Sequence, residues 1–189
     1  MELVLASRNA HKLREFERLL PEHRILPLPV GVELPPETGA SFAANARIKA
    51  QAAAAATGLP VFADDSGIEA RALGGAPGIR SARFAGERAT DEQNLAKLIT
   101  ALEDQSDRAV AYVCAIVCVL QPGAEPIVVE ERCEGALATV SAGDGGFGYD
   151  PAFIPVDGAA DRSMAQLSDA DKDAISHRGR AARALAALL

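Results

Sequence analysis

Two adjacent carboxylates, Asp64 and Asp65, close an apolar run in FADDSG, with Ser66, Gly67 and a third acid, Glu69, directly behind them. Acids facing one site repel each other, and a hard cation relieves the repulsion. Mg²⁺ suits such a place because it takes oxygen ligands, keeps several waters and is usually held by one or two carboxylates together with phosphate oxygens. An Asp-rich turn that caps its own backbone has the same spelling. Ser7 to Lys12, SRNAHK, gather a hydroxyl, a guanidinium, an amide and an ammonium at the opening of a predicted helix. Free backbone N–H groups and the helix dipole attract an anion there, and Lys12 adds a point charge one turn in. The alternative is a plain N-cap at Ser7 or Asn9 with a solvated Lys12. The GxxxxGK[ST] pattern of a P-loop is absent.

Glu37, in ETGASF, precedes an alanine-rich segment; it is a second ligand for the same cation or an acid favourably placed near a helix N-terminus. Gly143 to Pro151, GDGGFGYDP, carries two aromatics in a chain that is only 4% aromatic and has no tryptophan. Glycines let a backbone approach a ligand closely, and an aromatic on such a loop can stack on a purine. Otherwise Phe147 and Tyr149 pack into the core around a tight turn. In SDADKDAISHRG, Lys172, His177 and Arg178 collect near a re-capped helix start. His177 can titrate or donate a hydrogen bond, and Arg178 stays charged and can fork onto acceptor oxygens.

Elements must position these residues. Glu2 to Ala6 is predicted as a short buried strand and Ala10 to Leu20 as a helix with Leu13, Phe16 and Leu20 on one face, with SRN as the turn between them. Pro21 to Gly39 is rich in proline and glycine, after which Ser41 opens a long alanine-rich helix closed by Gly58 and Pro60. Val61 to Ala63 is a second short strand, with DDSG as the turn at its end. Thr90 and Gln93 make a capping box for a helix through Leu102. Val110 to Leu120 and Ile127 to Cys133 flank a QPGAE turn and read as an antiparallel hairpin, Ala136 to Val140 is a third run, and helix follows Ser168, re-capped at Ser176. Helices alternating with strands around a long hairpin predict an α/β domain on a mixed sheet. The polar motifs fall at strand-to-helix turns, which in open α/β sheets line the ligand crevice.

At 189 residues the chain fits one domain, in one lobe or two, with an ordinary core and no need of disulfides. Cys114, Cys118 and Cys133 lack CxxC or metal-ligand spacing and are expected as buried thiols in a reducing compartment. The net charge of -7 argues against nucleic-acid binding, which needs a basic face. No run reads as a secretory leader or a membrane span, so a soluble cytoplasmic protein is expected.

Taken together, SRNAHK, ETGASF, FADDSG, ALGGAPGIRSARFAG, FGYDPAF and LSDADKDAISHRG resemble, in order and spacing, the inosine triphosphate/xanthosine triphosphate pyrophosphatase family. The match covers almost the whole chain, residues 1–189 as a single pyrophosphatase domain. The resemblance implies an elongated α/β fold of two lobes around a central mixed β-sheet with flanking helices, a nucleotide cleft between the lobes, and a homodimer. It implies hydrolysis of nonstandard purine nucleoside triphosphates, dITP/ITP and XTP/dXTP, to monophosphate and pyrophosphate, removing them from the pool used for DNA and RNA. By similarity Ser7, Arg8, Asn9, Ala10, His11 and Lys12 bind the triphosphate. Glu37 and Asp65 hold Mg²⁺, Asp65 is also the proton acceptor, and Ser66 contacts substrate. Phe147, Gly148, Tyr149, Asp150, Lys172, His177 and Arg178 form the nucleoside and base side. Gln166 and Asp173 depart from the residues common in the family, glutamate and asparagine, and bear on local helix packing rather than on the assigned site.

The chemistry that follows is in-line attack of water on the α-phosphorus, with Asp65 as base and Asp64 as the alternative, since sequence does not fix the direction of adjacent acids. The competing readings are a nucleotide sensor without turnover, a Maf-type pyrophosphatase of modified pyrimidine nucleotides, and an α/β domain without a ligand.

Overall fold

Local capping chemistry sets most helix ends. The computed structural model, which describes residues 1–158 and 161–189, has α1 at Ala10–Leu19, begun by Asn9, whose side chain accepts the N–H groups of His11 and Lys12. Helix α2 (Phe42–Thr57) starts where Ser41 accepts the Ala44 N–H and ends at Gly58, left-handed at φ 68°. Thr90 and Gln93 close a reciprocal capping box at α3 (Asp91–Ala101). Ser168 caps α4 (Asp169–Ile175), Ser176 ends it, and α5 (His177–Ala186) begins at once. Gln166 closes a capping box with Ser163 around the short 3₁₀ turn Met164–Gln166.

The strands are β1 (Glu2–Leu5), β2 (Arg24–Pro27), β3 (Val61–Ala70), β4 (Ala109–Val119), β5 (Ile127–Leu137) and β6 (Phe153–Pro155), hydrogen-bonded in the order β2-β1-β3-β4-β5-β6. β1 runs parallel to β2 and to β3, and β5 antiparallel to β6, so the sheet is mixed as expected. DDSG is not a turn: β3 continues through it as one ten-residue strand. Pairing with β1 ends at Phe62; beyond it β3 continues beside β4, and Lys49 Nζ donates to the Asp64 carbonyl at 2.9 Å, so strand pairing and this side chain override the turn propensity of these residue types. The proline-rich stretch holds the unpredicted edge strand β2, where Pro27 ends the strand and its missing N–H costs nothing. β5 likewise runs past Cys133 to Leu137, joining what reads as two separate runs. Its Gly135 faces Pro155 of β6, and a Cβ there would lie 2.5 Å from the Ile154 carbonyl oxygen. The apolar stretch around Val110 to Val119 is a central strand, buried along nearly its whole length.

The chain forms two compact units, Met1–Asp65 with Cys114–Glu131 and Arg178–Leu189, and Ser66–Val113 with Arg132–His177. In the first unit Leu3, Leu5, Phe16, Leu20 and Phe62 pack with Ala181, Ala182 and Leu185 of α5. A second cluster of that unit sets Val4, Val61, Ala63 and Val117 against the alanines of α2, whose small side chains let the helix lie close to the strands. The core of the other unit joins Ile68, Leu95, Leu98, Tyr112, Tyr149 and Phe153. Among the described residues no helix is long and apolar enough to cross a membrane.

Candidate active site

A strand sends successive side chains to opposite faces, and β3 keeps that alternation through its acids. Phe62 lies in the cluster of α1 and α5, while Val61 and Ala63 lie in that of α2. Asp64 follows Phe62 and meets Lys12 of α1 and Arg178 of α5; Asp65 follows Ala63 and meets Asn45 and Lys49 of α2.

Asp64 is wholly buried, with Lys12 Nζ 2.8 Å and Arg178 Nη2 3.4 Å from the same oxygen, Oδ2. Arg178 Nη1 also donates to buried Glu15 at 2.5 Å. Burial pushes the Asp64 carboxyl upward, but Lys12, Arg178 and Lys49 outweigh it and hold it well below the usual carboxylate range. For Arg178, burial works against the charge, and Asp64 and Glu15 more than restore it. Asp64 is therefore a permanent anion that holds two cations in place.

Asp65 stands differently. Its Oδ2 accepts a hydrogen bond from Asn45 Nδ2 at 3.0 Å, and its Oδ1 is 3.9 Å from Lys49 Nζ. Lys49 donates to Glu37 Oε1 at 2.6 Å and to the Asp64 carbonyl at 2.9 Å. Burial first, then the nearby Glu37 charge, raise the Asp65 pKa above the ordinary value against the opposing pull of Lys49 and Asn45. Lys49 is pushed up in turn, because Asp64, Asp65 and Glu37 outweigh its own burial. Adjacent acids thus differ: one is fixed as an anion, the other is a more basic carboxylate beside a second acid and an ammonium.

The SRNAHK segment divides as well. Lys12 points to Asp64, whereas Asn9 caps α1 and Ser7 Oγ accepts the Asn9 N–H at 3.1 Å. Arg8 donates to the carbonyls of Leu28, Pro29 and Val32 at 2.7, 2.9 and 2.8 Å, a clamp on the loop after β2. Ala10 and His11 are exposed in the first turn of α1.

In the second unit the glycine-rich loop is organised around Asp150. Its Oδ2 accepts the Phe147 N–H at 3.0 Å and Lys172 Nζ at 2.8 Å. Gly146, at φ 71°, has no room for a Cβ, which would sit 2.0 Å from that oxygen. The Gly148 N–H is held by Asp91 at 2.9 Å. Tyr149 is buried in the core, its hydroxyl donating to the Ser81 carbonyl at 2.7 Å, while Phe147 is half-buried with Lys172 Nζ 5.4 Å from its ring centroid. His177 stacks on Tyr112. Ser66 is half-buried on β3, and Glu69, the third acid of that strand, pairs with Arg132 at 2.9 Å.

Sequence reasoning missed Asn45, Lys49, Glu15, Asp91 and Tyr112. The first two carried a signal: a buried amide and a buried ammonium one helical turn apart, on the same face as Phe42 and Ala46 and surrounded by alanines. Tyr112 had none, because a tyrosine in a buried strand reads as core. The three cysteines are free and buried, with burial pushing the Cys114 thiol up to about 12 and that of Cys118 up to about 11.

A model of the Ham1 family matches residues 3–188. The chain is 47% identical to a dITP/XTP pyrophosphatase of Mycolicibacterium paratuberculosis, over 97% of this chain and 93% of that protein. It is 48% identical to a protein of the same description from Frankia alni, over 100% and 97%. Among solved structures, a HAM1 protein from Coxiella burnetii superposes with a TM-score of 0.89 at 42% identity, covering 100% of this chain and 98% of that one. A nucleoside-triphosphatase / dITP/XTP pyrophosphatase from Mycobacterium abscessus gives 0.77 at 45% identity, covering 100% and 99%.

Proposed function

The chain belongs to the Ham1 family, and from that premise we propose that it hydrolyses nonstandard purine nucleoside triphosphates, dITP/ITP and XTP/dXTP, to the monophosphate and pyrophosphate. Removing them keeps deaminated purines out of DNA and RNA. The family match from residue 3 to residue 188 supports reading the chain as one pyrophosphatase domain. The observation that carries the chemistry is the sorting of charge along β3: Asp64 neutralised by Lys12 and Arg178, Asp65 left basic beside Glu37 and Lys49.

The cation this chemistry calls for is Mg²⁺, and Glu37 and Asp65 are the residues that would hold it. Their fit rests on the donor set: two carboxylates already gather round one positive group, the Lys49 ammonium, 2.6 and 3.9 Å away. That suits an ion that completes its shell with water and phosphate oxygens. When bound, it neutralises phosphate charge and polarises the P–O bonds. Asp65, oriented by the Asn45 amide at 3.0 Å, is the carboxylate that takes the proton of the attacking water. As the new O–P bond forms at the α-phosphorus, the bond to the β-phosphate oxygen breaks and pyrophosphate leaves, while Lys12 and Lys49 offset the charge.

Base selection follows from donors set against the oxygen at C6 of hypoxanthine and xanthine, where adenine carries an amino group. His177, beside the loop from Phe147 to Asp150 whose own N–H groups are used within the protein, supplies that chemistry. A site built to bond one group rejects its analogue by about 10⁴ or more, because buried partners are left unpaired. The active form is a cytoplasmic homodimer; free buried thiols support a reducing compartment, and light scattering on the purified protein reads the mass directly.

The test is turnover of dITP, XTP, dATP and dGTP with and without Mg²⁺, with the product identified. Metal-dependent pyrophosphate release from dITP and XTP, far faster than from the standard purines, is expected. Orthophosphate release, or equal rates on all four, overturns the specificity. Tight binding without turnover makes the protein a sensor.

A further inference from the structure

Tyr112, on β4, is buried at 6% exposure; its ring meets His177 and, tilted at 50° with centroids 4.7 Å apart, Phe153. Its ring lies parallel to the imidazole of His177, at 6° between planes and 4.4 Å between centroids. Its hydroxyl oxygen accepts the Tyr149 N–H at 3.1 Å. The next residue, Asp150, takes the Phe147 N–H and Lys172 on its carboxylate, so the hydroxyl is tied to the loop that this carboxylate organises. Burial and the Asp150 charge both oppose ionisation of Tyr112.

We propose that Tyr112 is the positioning residue for recognition of the base: one side chain that fixes both the plane of the His177 ring and the course of the loop from Phe147 to Asp150. The torsion that swings an imidazole about its Cβ–Cγ bond is broad, so the ring plane is set by what it packs against. A parallel aromatic face restricts that swing, and with it the line along which the in-plane N–H groups of His177 point. The hydroxyl fixes the second element of the same reading surface, because it holds Tyr149 at the backbone. Small displacements of such groups cost binding out of proportion to their size. The inference rests on the reading of His177 and this loop as the base end of the site, and it adds a determinant that acts through both.

Two variants separate the ring from the hydroxyl. Tyr112→Phe keeps the stack and loses one oxygen, leaving the buried Tyr149 N–H short of a partner. The expected result is a KM for dITP raised about tenfold, a kcat lowered less than about threefold, and a smaller preference for dITP over dATP. Tyr112→Leu also removes the ring current that shields His177, so the imidazole C–H resonances move downfield. Wild-type turnover of dITP is measured alongside. If the wild type does not turn over dITP or XTP, the functional reading fails and takes this inference with it. If the wild type is active but Tyr112→Phe has a wild-type KM, the inference fails alone. The same holds if Tyr112→Leu leaves the His177 resonances unmoved, or if either variant lowers only the melting temperature. Tyr112→Phe keeps the test available should Tyr112→Leu not fold.

Discussion

Lys12 Nζ lies 2.8 Å from Asp64 Oδ2, an oxygen with no exposure to solvent and one on which Arg178 also converges. The pair is a structural anchor, so the two neighbouring aspartates fail in different ways. Asp64→Asn removes the anion that Lys12 and Arg178 share, leaving Arg178 with Glu15, and is expected to destabilise the fold by about 3–5 kcal/mol. The folded pKa of Asp64 is depressed, so its contribution is whole above the ordinary aspartate value of about 4 and is lost as the pH falls. The melting-temperature gap between wild type and Asp64→Asn therefore narrows below about pH 4. Asp65→Asn is expected to melt near the wild type and to lose about 10²–10⁴ in kcat. Near-normal turnover by Asp65→Asn removes it as the base.

Lys49 is expected to shift the acid limit of activity. Asp65 accepts a proton only when ionised, so kcat/KM falls as the pH drops through its pKa, which lies above the ordinary aspartate range. Lys49 pulls that pKa down, and Lys49→Met therefore moves the acid limb of the profile to higher pH. A limb that stays in place at saturating Mg²⁺ assigns it to another group.

Asn45 ties the loop of Glu37 to Asp65, accepting the Gly39 N–H at 2.8 Å while donating to Asp65 at 3.0 Å. Asn45→Asp keeps the shape but sets a third anion against Asp65. The Mg²⁺ concentration for half-maximal activity is expected to change, with dITP affinity measured in parallel as the control. Gly39→Ala acts on the same joint, because a Cβ at Gly39 would lie 2.7 Å from both Ala44 Cβ and Asn45 Oδ1. Unchanged Mg²⁺ activation in both variants shows that the tie does not govern the cation.

Arg8 belongs by motif to the phosphate-binding segment, yet its guanidinium clamps three carbonyls between Leu28 and Val32. Arg8→Lys retains the charge and cannot span all three. A stability loss of about 1–3 kcal/mol by chemical denaturation is expected, larger than any effect on the KM for dITP. A selective rise in KM with unchanged stability restores Arg8 to the phosphates.

Much of the fold was legible because its signals are local. Ser41, Gly58, Thr90 with Gln93 and Ser168 stand where helices begin or end, and each acts through hydrogen bonds within a few residues. What the residues do not spell out is decided at long range. DDSG reads as a turn until its place in the sheet beside β4 carries the strand through it, and β2 hides in a proline-rich stretch because an edge tolerates proline. The site followed the same rule. The motif residues were findable, but the roles of Asp64 and Asp65 stayed open while DDSG was a turn, since only a strand assigns neighbours to opposite faces. Lys49, Asn45 and Glu15 come from helices that the fold, not the motif, brings to the acids.

The alternation of β3 also guards its own alignment. A slip by one residue would carry Asp65 toward Lys12 and Arg178 and turn the apolar side chains of Val61, Phe62 and Ala63 onto one another's layers. Such a chain would bury a carboxylate away from its cations and lose its base in the same movement. Catalytic competence thus reports on strand alignment, and a misaligned molecule is marked at once by inactivity and by instability.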